Sequence, residues 1–318
     1  MLSLLRTLRN YSRPRRGLPS RAQRGICFFL VVLVFSSASA SAQTKRPKIL
    51  GINEVQIAST NPEATTVFYG KLAELGKPCD WCEIPPGFSA VSFPSRQGLD
   101  FLPLGDKPPK DLLLSIRFAV EDLKTMKHWL KDHNLPFDEV YGPVSSVPHA
   151  FDTLSVRDPE GHQIDFIRAL REPRARLSVI HAGFVVKDRA AMEHFYKDIL
   201  GFHVYWQGGM RDGDTDWVDL QVPDGTDWIE FMLNVPENAD KQTLGIMNHI
   251  ALGVSDVRAA AKELESKGMK LPEPPEIGRD GKWQLNLYDP DGTRIELMEF
   301  TPVQPPCCSP YTGPHPQP

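Results

Sequence analysis

The sequence predicts an α+β protein made of four strand–helix–three-strand (βαβββ) modules, paired into two domains with curved mixed sheets. Three observations predict it. One grammar of apolar runs recurs four times between Ile49 and Phe300, and each copy places a single helix-period segment among strand-like runs. The chain's 318 residues suit about two domains of ordinary size. A hydrophobic share of 41%, with 16 Phe, supplies a core and excludes wholesale disorder.

The first segment is not part of that pattern. Seven arginines and no acid fall within residues 1–42, followed by the apolar run Ile26–Phe35 and the small-residue stretch Ser36–Ala42. A basic start, a short apolar stretch and an A-x-A site describe a secretory signal peptide, cut after Ala40 or, as favoured, Ala42. Ten apolar residues are too few for a membrane span, which needs about 20. The mature protein is therefore expected to be secreted or periplasmic, without stable membrane insertion. Of 36 basic residues, 29 remain after the leader, against 40 acidic ones. So acidic a body is repelled by phosphate backbones, which argues against nucleic acid as a partner.

The modules follow in order, at 49–104, 112–168, 178–234 and 247–300. The third is the clearest. Leu177–Asp188 reads as a strand closing on an acid, RAAMEHFYKDIL as about three helical turns, and FHVYW, DWVDLQV and DWIEFML as three strands. Asp188 is placed to cap the helix and Gly201 to end it. The fourth opens with MNHIALGVSD, continues with VRAAAKELESKG and closes on WQLNLYD and RIELMEF around Asp289-Pro290-Asp291-Gly292. The first two copies, INEVQIASTN with ATTVFYGKLAELG and LLLSIRFAVED with LKTMKHWLKDHN, precede RDPEGHQIDFI, another D-P-x-G turn. The polar stretch 171–176 (REPRAR) reads as the joint between a first domain at 49–170 and a second at 177–300.

Four cysteines follow the leader. Cys79 and Cys82 (CDWC) read as a local disulfide or inert thiols, since no thioredoxin pattern surrounds them and the adjacent Cys307 and Cys308 are not a second spaced CxxC. Seven prolines among the last eighteen residues predict a disordered tail at 301–318.

Residues of ligand type recur with the repeat. His181 and His249 occupy equivalent points of the opening strands in modules three and four, and Glu230 and Glu296 equivalent points of the closing strands. Paired about a pseudo-twofold axis, the two modules would bring two imidazoles and two carboxylates around one divalent cation, with positions left for substrate or water. Strand alternation puts Trp228, Glu230 and Met232 on one face, and Arg294, Glu296 and Met298 on one face. A carboxylate beside Trp and Met loses hydration and calls for a counter-charge, which a metal supplies.

These motifs, HAGFVVKD (181–188), FYKDILGF (195–202), WIEFML (228–233), NHIALGVSD (248–256) and LYDPDGTRIELME (287–299), resemble the vicinal oxygen chelate superfamily. That group includes glyoxalase I, fosfomycin-resistance enzymes, bleomycin-binding proteins and extradiol dioxygenases. The resemblance is strong over 178–300 and weaker over 49–168. It implies glyoxalase/dioxygenase-like paired modules and, in the metal-dependent glyoxalase branch, His181, Glu230, His249 and Glu296 as ligands of Ni, Zn, Mn, Co or Fe(II). It also implies a lyase or isomerase in which the metal stabilises an enediolate-like oxyanion and Glu296 or Glu230 moves the proton. The substrate expected is a small, oxygen-rich molecule that chelates the metal; a homo-oligomer is compatible with the sequence.

Two alternatives come with the resemblance. An Fe(II) extradiol dioxygenase would use His181, His249 and Glu296, but Tyr288 abuts Asp289 and no histidine lies between Trp283 and Asp289, against the ring-cleavage signature. A non-catalytic binding protein of the bleomycin-resistance type usually lacks the ligand residues present here. In the first pair, Glu54, Asp100, Ser115 and Asp165 fall opposite His181, Glu230, His249 and Glu296, so that domain is expected to be structural. RDGDTD (Arg211–Asp216) lacks the Gly and distal Glu of a calcium loop and reads as a hairpin loop. No P-loop, G-x-S-x-G or Rossmann fingerprint occurs.

Overall fold

In module one, alternating apolar residues build β1 (Ile49–Ser59), after which Asn61 caps α1 (Pro62–Ala73), followed by β2 (Ala90–Ser92) and β3 (Gly98–Pro103). Module two runs through β4 (Leu113–Val120), α2 (Leu123–Asp132), β5 (Phe137–Val140), β6 (Thr153–Arg157) and β7 (Gln163–Arg168). Module three comprises β8 (Ser178–Val185), α3 (Arg189–Glu193), β9 (His203–Gly208), β10 (Trp217–Gln221) and β11 (Trp228–Met232). A short α4 (Lys241–Met247), not anticipated from sequence, leads into module four: β12 (His249–Val254), α5 (Val257–Ser266), β13 (Glu276–Ile277), β14 (Trp283–Tyr288) and β15 (Arg294–Glu299). This computed structural model describes residues 45–76, 89–105, 109, 111–140, 152–168 and 177–318. The leader, the CDWC pair and the 171–176 joint lie outside the described residues.

The strands form two mixed sheets, β2-β3-β1-β4-β7-β6-β5 and β13-β14-β15-β12-β8-β11-β10-β9. In each, two opening strands lie antiparallel at the centre and each pairs in parallel with the closing strand of its own module. Asp188 caps α3 as expected, its Oδ1 accepting from Ala191 N at 3.0 Å. The expected regular helix does not continue, however. His194–Ile199 winds as a π-helix, with Leu200 N reaching Phe195 O at 3.1 Å, before Gly201 turns the chain at φ +82°.

The outer faces share one apolar core running from Ile49 to Leu297, within which Phe118 meets Phe202 edge-on across the two sheets. The sheets are also clamped reciprocally. Tyr69 of α1 donates to Asp289 at 3.4 Å, and Tyr196 of the π-helix donates to Asp158 at 3.2 Å. Each D-P-x-G turn thus receives the helix tyrosine of the opposite domain. Asp227 adds a buried bond from Ile52 N, at 2.8 Å.

The tail corrects an expectation. Residues 301–318 hold neither helix nor strand, as their prolines require, yet they are ordered against the second sheet. Val303 and Cys307 donate to Gly281 O and Arg279 O near β14, while Thr312 N donates to Tyr205 O on β9. The tail therefore connects the two opposite edges of the eight-stranded sheet. Prolines remove donors but not acceptors: Trp206 Nε1 reaches Cys307 O at 3.2 Å, and Gln221 Nε2 reaches Pro314 O at 2.9 Å. Cys307 and Cys308 are joined by a disulfide, and Tyr311 and His315 pack on Tyr205.

Candidate metal centre

Register places the four candidate ligands. β8 and β12 oppose Gly183 to His249 and His181 to Ala251. β11 sets Glu230 beside Gly183, and β15 sets Glu296 beside Ala251. Two adjacent rows therefore cross the sheet, Glu230–Gly183–His249 and His181–Ala251–Glu296. Because side chains two apart on a strand share a face, all four ligand-type groups project to one side. In each row the residue between the two is small. A Cβ built on Gly183 would come within 2.1 Å of His249 Cε1, so only glycine lets that ring lie across β8.

The donor atoms converge. His181 Nε2 and His249 Nε2 are 3.0 Å apart, His249 Nε2 and Glu230 Oε2 3.0 Å, and His181 Nε2 lies 3.6 Å from Glu296 Oε2 and 3.7 Å from Glu230 Oε2. Donors each about 2.1 Å from a zinc-sized ion stand roughly 3 to 3.5 Å from one another, so the spacing suits a single cation. The tightest trio is His181, Glu230 and His249, with Glu296 approaching from the His181 side. The extradiol assignment expected Glu296 in that trio and Glu230 outside it; here the register sets Glu230 against His249 instead.

Tautomer and charge fit the same use. His249 Nδ1 lies 3.1 Å from Met247 O; donating there, it leaves the Nε2 lone pair facing Glu230 and His181. Burial drives both imidazoles well below their ordinary pKa and keeps them in the neutral, ligating form. Burial pushes the Glu296 carboxyl up to about 8, against the opposing charge of Arg294. Lone pairs and carboxylates crowded together are what a divalent cation resolves, and the residues present fit one.

Beside these groups opens a cavity of ≈ 380 Å³, walled by Trp228 and by Trp206 and Trp217, whose rings are stacked at 6.4 Å. Against the Trp228 ring lies a group that sequence reasoning missed. Lys282 is fully buried, its Nζ 4.4 Å from the Trp228 ring and within 5.4 Å of Tyr205 and 5.3 Å of Tyr311. Its charge faces Asp280 and Asp219, and Asp219 sits across from Glu230 on β10. Its turn context, D-G-K-W, gave no sign of burial.

The first sheet repeats the rows with different contents. The predicted positions Glu54, Asp100, Ser115 and Asp165 fall where expected: Gln56 stands between Asp100 and Ser115, and Arg117 between Glu54 and Asp165. The small spacers are replaced by side chains that fill the centre. The Arg117 guanidinium, buried, pairs with Glu54 and lies 3.6 Å from Asp165. Gln56 accepts from Ser115 Oγ at 2.9 Å. An internal cation thus occupies the point that the second sheet leaves for an ion. The signal was available two residues after each ligand position: Gly183 and Ala251 in one pair, Gln56 and Arg117 in the other.

Residues 178–297 match the family model of the Glyoxalase/Bleomycin resistance protein/Dioxygenase superfamily. The match spans the second of the two sheets. A probable lactoylglutathione lyase of Synechocystis sp. is 28% identical over 123 residues, covering 38% of this chain and 94% of that protein. Among solved structures, the backbone is similar to the 2,3-dioxygenase LapB of Pseudomonas sp. KL28, with a TM-score of 0.60 and 16% identity over 86% of this chain and 96% of that one. Homoprotocatechuate 2,3-dioxygenase from Arthrobacter globiformis gives a TM-score of 0.59 at 14% identity, over 84% and 86% of the two chains. These structural likenesses show that the two sheets together share the fold of those enzymes.

Proposed function

We propose that this protein is an exported, divalent-metal-dependent lyase or isomerase of the glyoxalase I type, acting on a small, oxygen-rich substrate that chelates the metal. One observation carries the reading: two carboxylates, rather than one, meet the two imidazoles, so one can hold the ion while the other moves a proton. A bound cation would act as a Lewis acid toward substrate oxygens. The chain's own groups supply the rest. His181, His249 and Glu230 hold the ion. Glu296, whose carboxyl burial pushes up to about 8, takes a proton from substrate carbon at Oε2 and returns it to the neighbouring carbon. The tryptophan walls keep bulk water from the exchanging proton. Export rests on the composition of residues 1–42; among the described residues no helix is long and apolar enough to cross a membrane.

The Fe(II) extradiol dioxygenase is the second reading, favoured by the likeness of both sheets to such enzymes and by the two-His, one-carboxylate trio. Turnover separates the two. Protein loaded in turn with nickel, zinc and ferrous iron is expected to isomerise a hemithioacetal of an α-oxoaldehyde and to lose this in Glu296→Gln. Oxygen uptake with catechols, and no isomerisation, would establish the second reading in its place.

A further inference from the structure

The cavity contains a cation that the metal chemistry does not use. Arg294 lies two residues before Glu296 on β15, on the same face, and lines the cavity. Its Nε is buried and makes no hydrogen bond within the protein; the same holds for the indole N–H of Trp228, another wall of the cavity. The other cations have partners. Glu230 and Glu296 face the ion, Lys282 lies between Asp219 and Asp280, and Arg279 is bonded to Asp212. No carboxylate forms an ion pair with Arg294 among the described residues. Once a divalent cation offsets Glu230 and Glu296, the Arg294 guanidinium is the cation lining the cavity that has no ion-pair partner among the described residues. Its fork of donors matches a carboxylate better than any neutral group.

We infer that Arg294, assisted by the Trp228 indole N–H, is the specificity-determining residue for a carboxylate carried by the substrate in addition to its metal-chelating oxygens. This rests on the metal reading above and narrows it: the substrate is an anionic chelator, and its charge is read by β15 rather than by the ion. The stacked tryptophans leave room for a short apolar spacer between the chelating and anionic ends.

The test uses zinc-loaded full chain and synthetic hydroxamates, which chelate divalent metals whatever the substrate. Hydroxamates ending in a carboxylate on one to three methylenes are compared by calorimetry with carboxamides of equal length. The best carboxylate is expected to bind about tenfold or more tightly than its carboxamide, as a charge-assisted pair would give. Arg294→Gln is expected to bring the two within about twofold, on the same scale, while zinc content and carboxamide affinity stay unchanged; Arg294→Lys should restore part of the preference. Full zinc occupancy with no carboxylate preference in the wild type, or an undiminished preference in Arg294→Gln, overturns this inference alone. A wild-type chain that takes up no zinc overturns the metal reading and this inference with it.

Discussion

His249 shows how narrowly one side chain is determined. The Met247 carbonyl fixes its tautomer, and Gly183 admits its ring. Gly183→Ala is therefore expected to displace the ring and weaken metal affinity by about 10- to 100-fold, as loss of an orienting contact does; far-ultraviolet circular dichroism should remain unchanged while bound metal falls. Glu296 gives a pH dependence. Its carboxyl, pushed up to about 8 from an ordinary 4.5, holds a proton in the metal-free fold that the charge of a cation beside it would expel. Between these values the folded state binds the extra proton, so this group's contribution to metal-free stability falls as pH rises from about 4.5 to 8. Metal affinity moves the other way, rising about tenfold per pH unit toward 8 and then levelling, as linkage to one released proton requires. Chelator-competition titrations from pH 6 to 9 would read this, and a flat profile would contradict it. The four candidate positions were legible because a repeat doubles each one. Lys282 and Arg294 had no such partner signal, since their roles depend on which distant strand lies alongside.

At the scale of strands, the two sheets apply the same two-row register to opposite ends. Small spacers leave a point for an ion in one, and Gln56 with Arg117 close it in the other. Arg117→Ala, which copies Ala251 of the second sheet, leaves Glu54 and Asp165 buried without their shared cation. It is expected to cost about 3–5 kcal/mol of stability in urea and to leave bound metal undiminished. Loss of metal instead would mean that the first sheet supports the site more closely than the register implies. The module grammar and the cap of α3 were readable from periodicity and turn residues. The π-helix over His194–Ile199 was not, because i, i+4 spacing and i, i+5 bonding leave the same apolar trace.

Across the whole molecule, the tyrosine–aspartate clamps join the halves through motifs that the repeat had marked only as helix and turn. Tyr69→Phe and Tyr196→Phe each remove one buried bond to a carboxylate and should cost about 1–3 kcal/mol. Lying in separate contacts, their effects are expected to add in the double variant within about 0.5 kcal/mol, measured by urea unfolding. The ordered tail was the largest departure from the sequence expectation. Proline density speaks to secondary structure, whereas the tail is held by side chains of Trp206, Gln221 and Tyr311. The most direct measurement of the central claim is the metal content of the full chain after loading and dialysis, beside His249→Ala and Asp165→Ala. One equivalent in the wild type, almost none in His249→Ala and one in Asp165→Ala is the expected pattern. Metal undiminished in His249→Ala, or absent from the wild type, would contradict it.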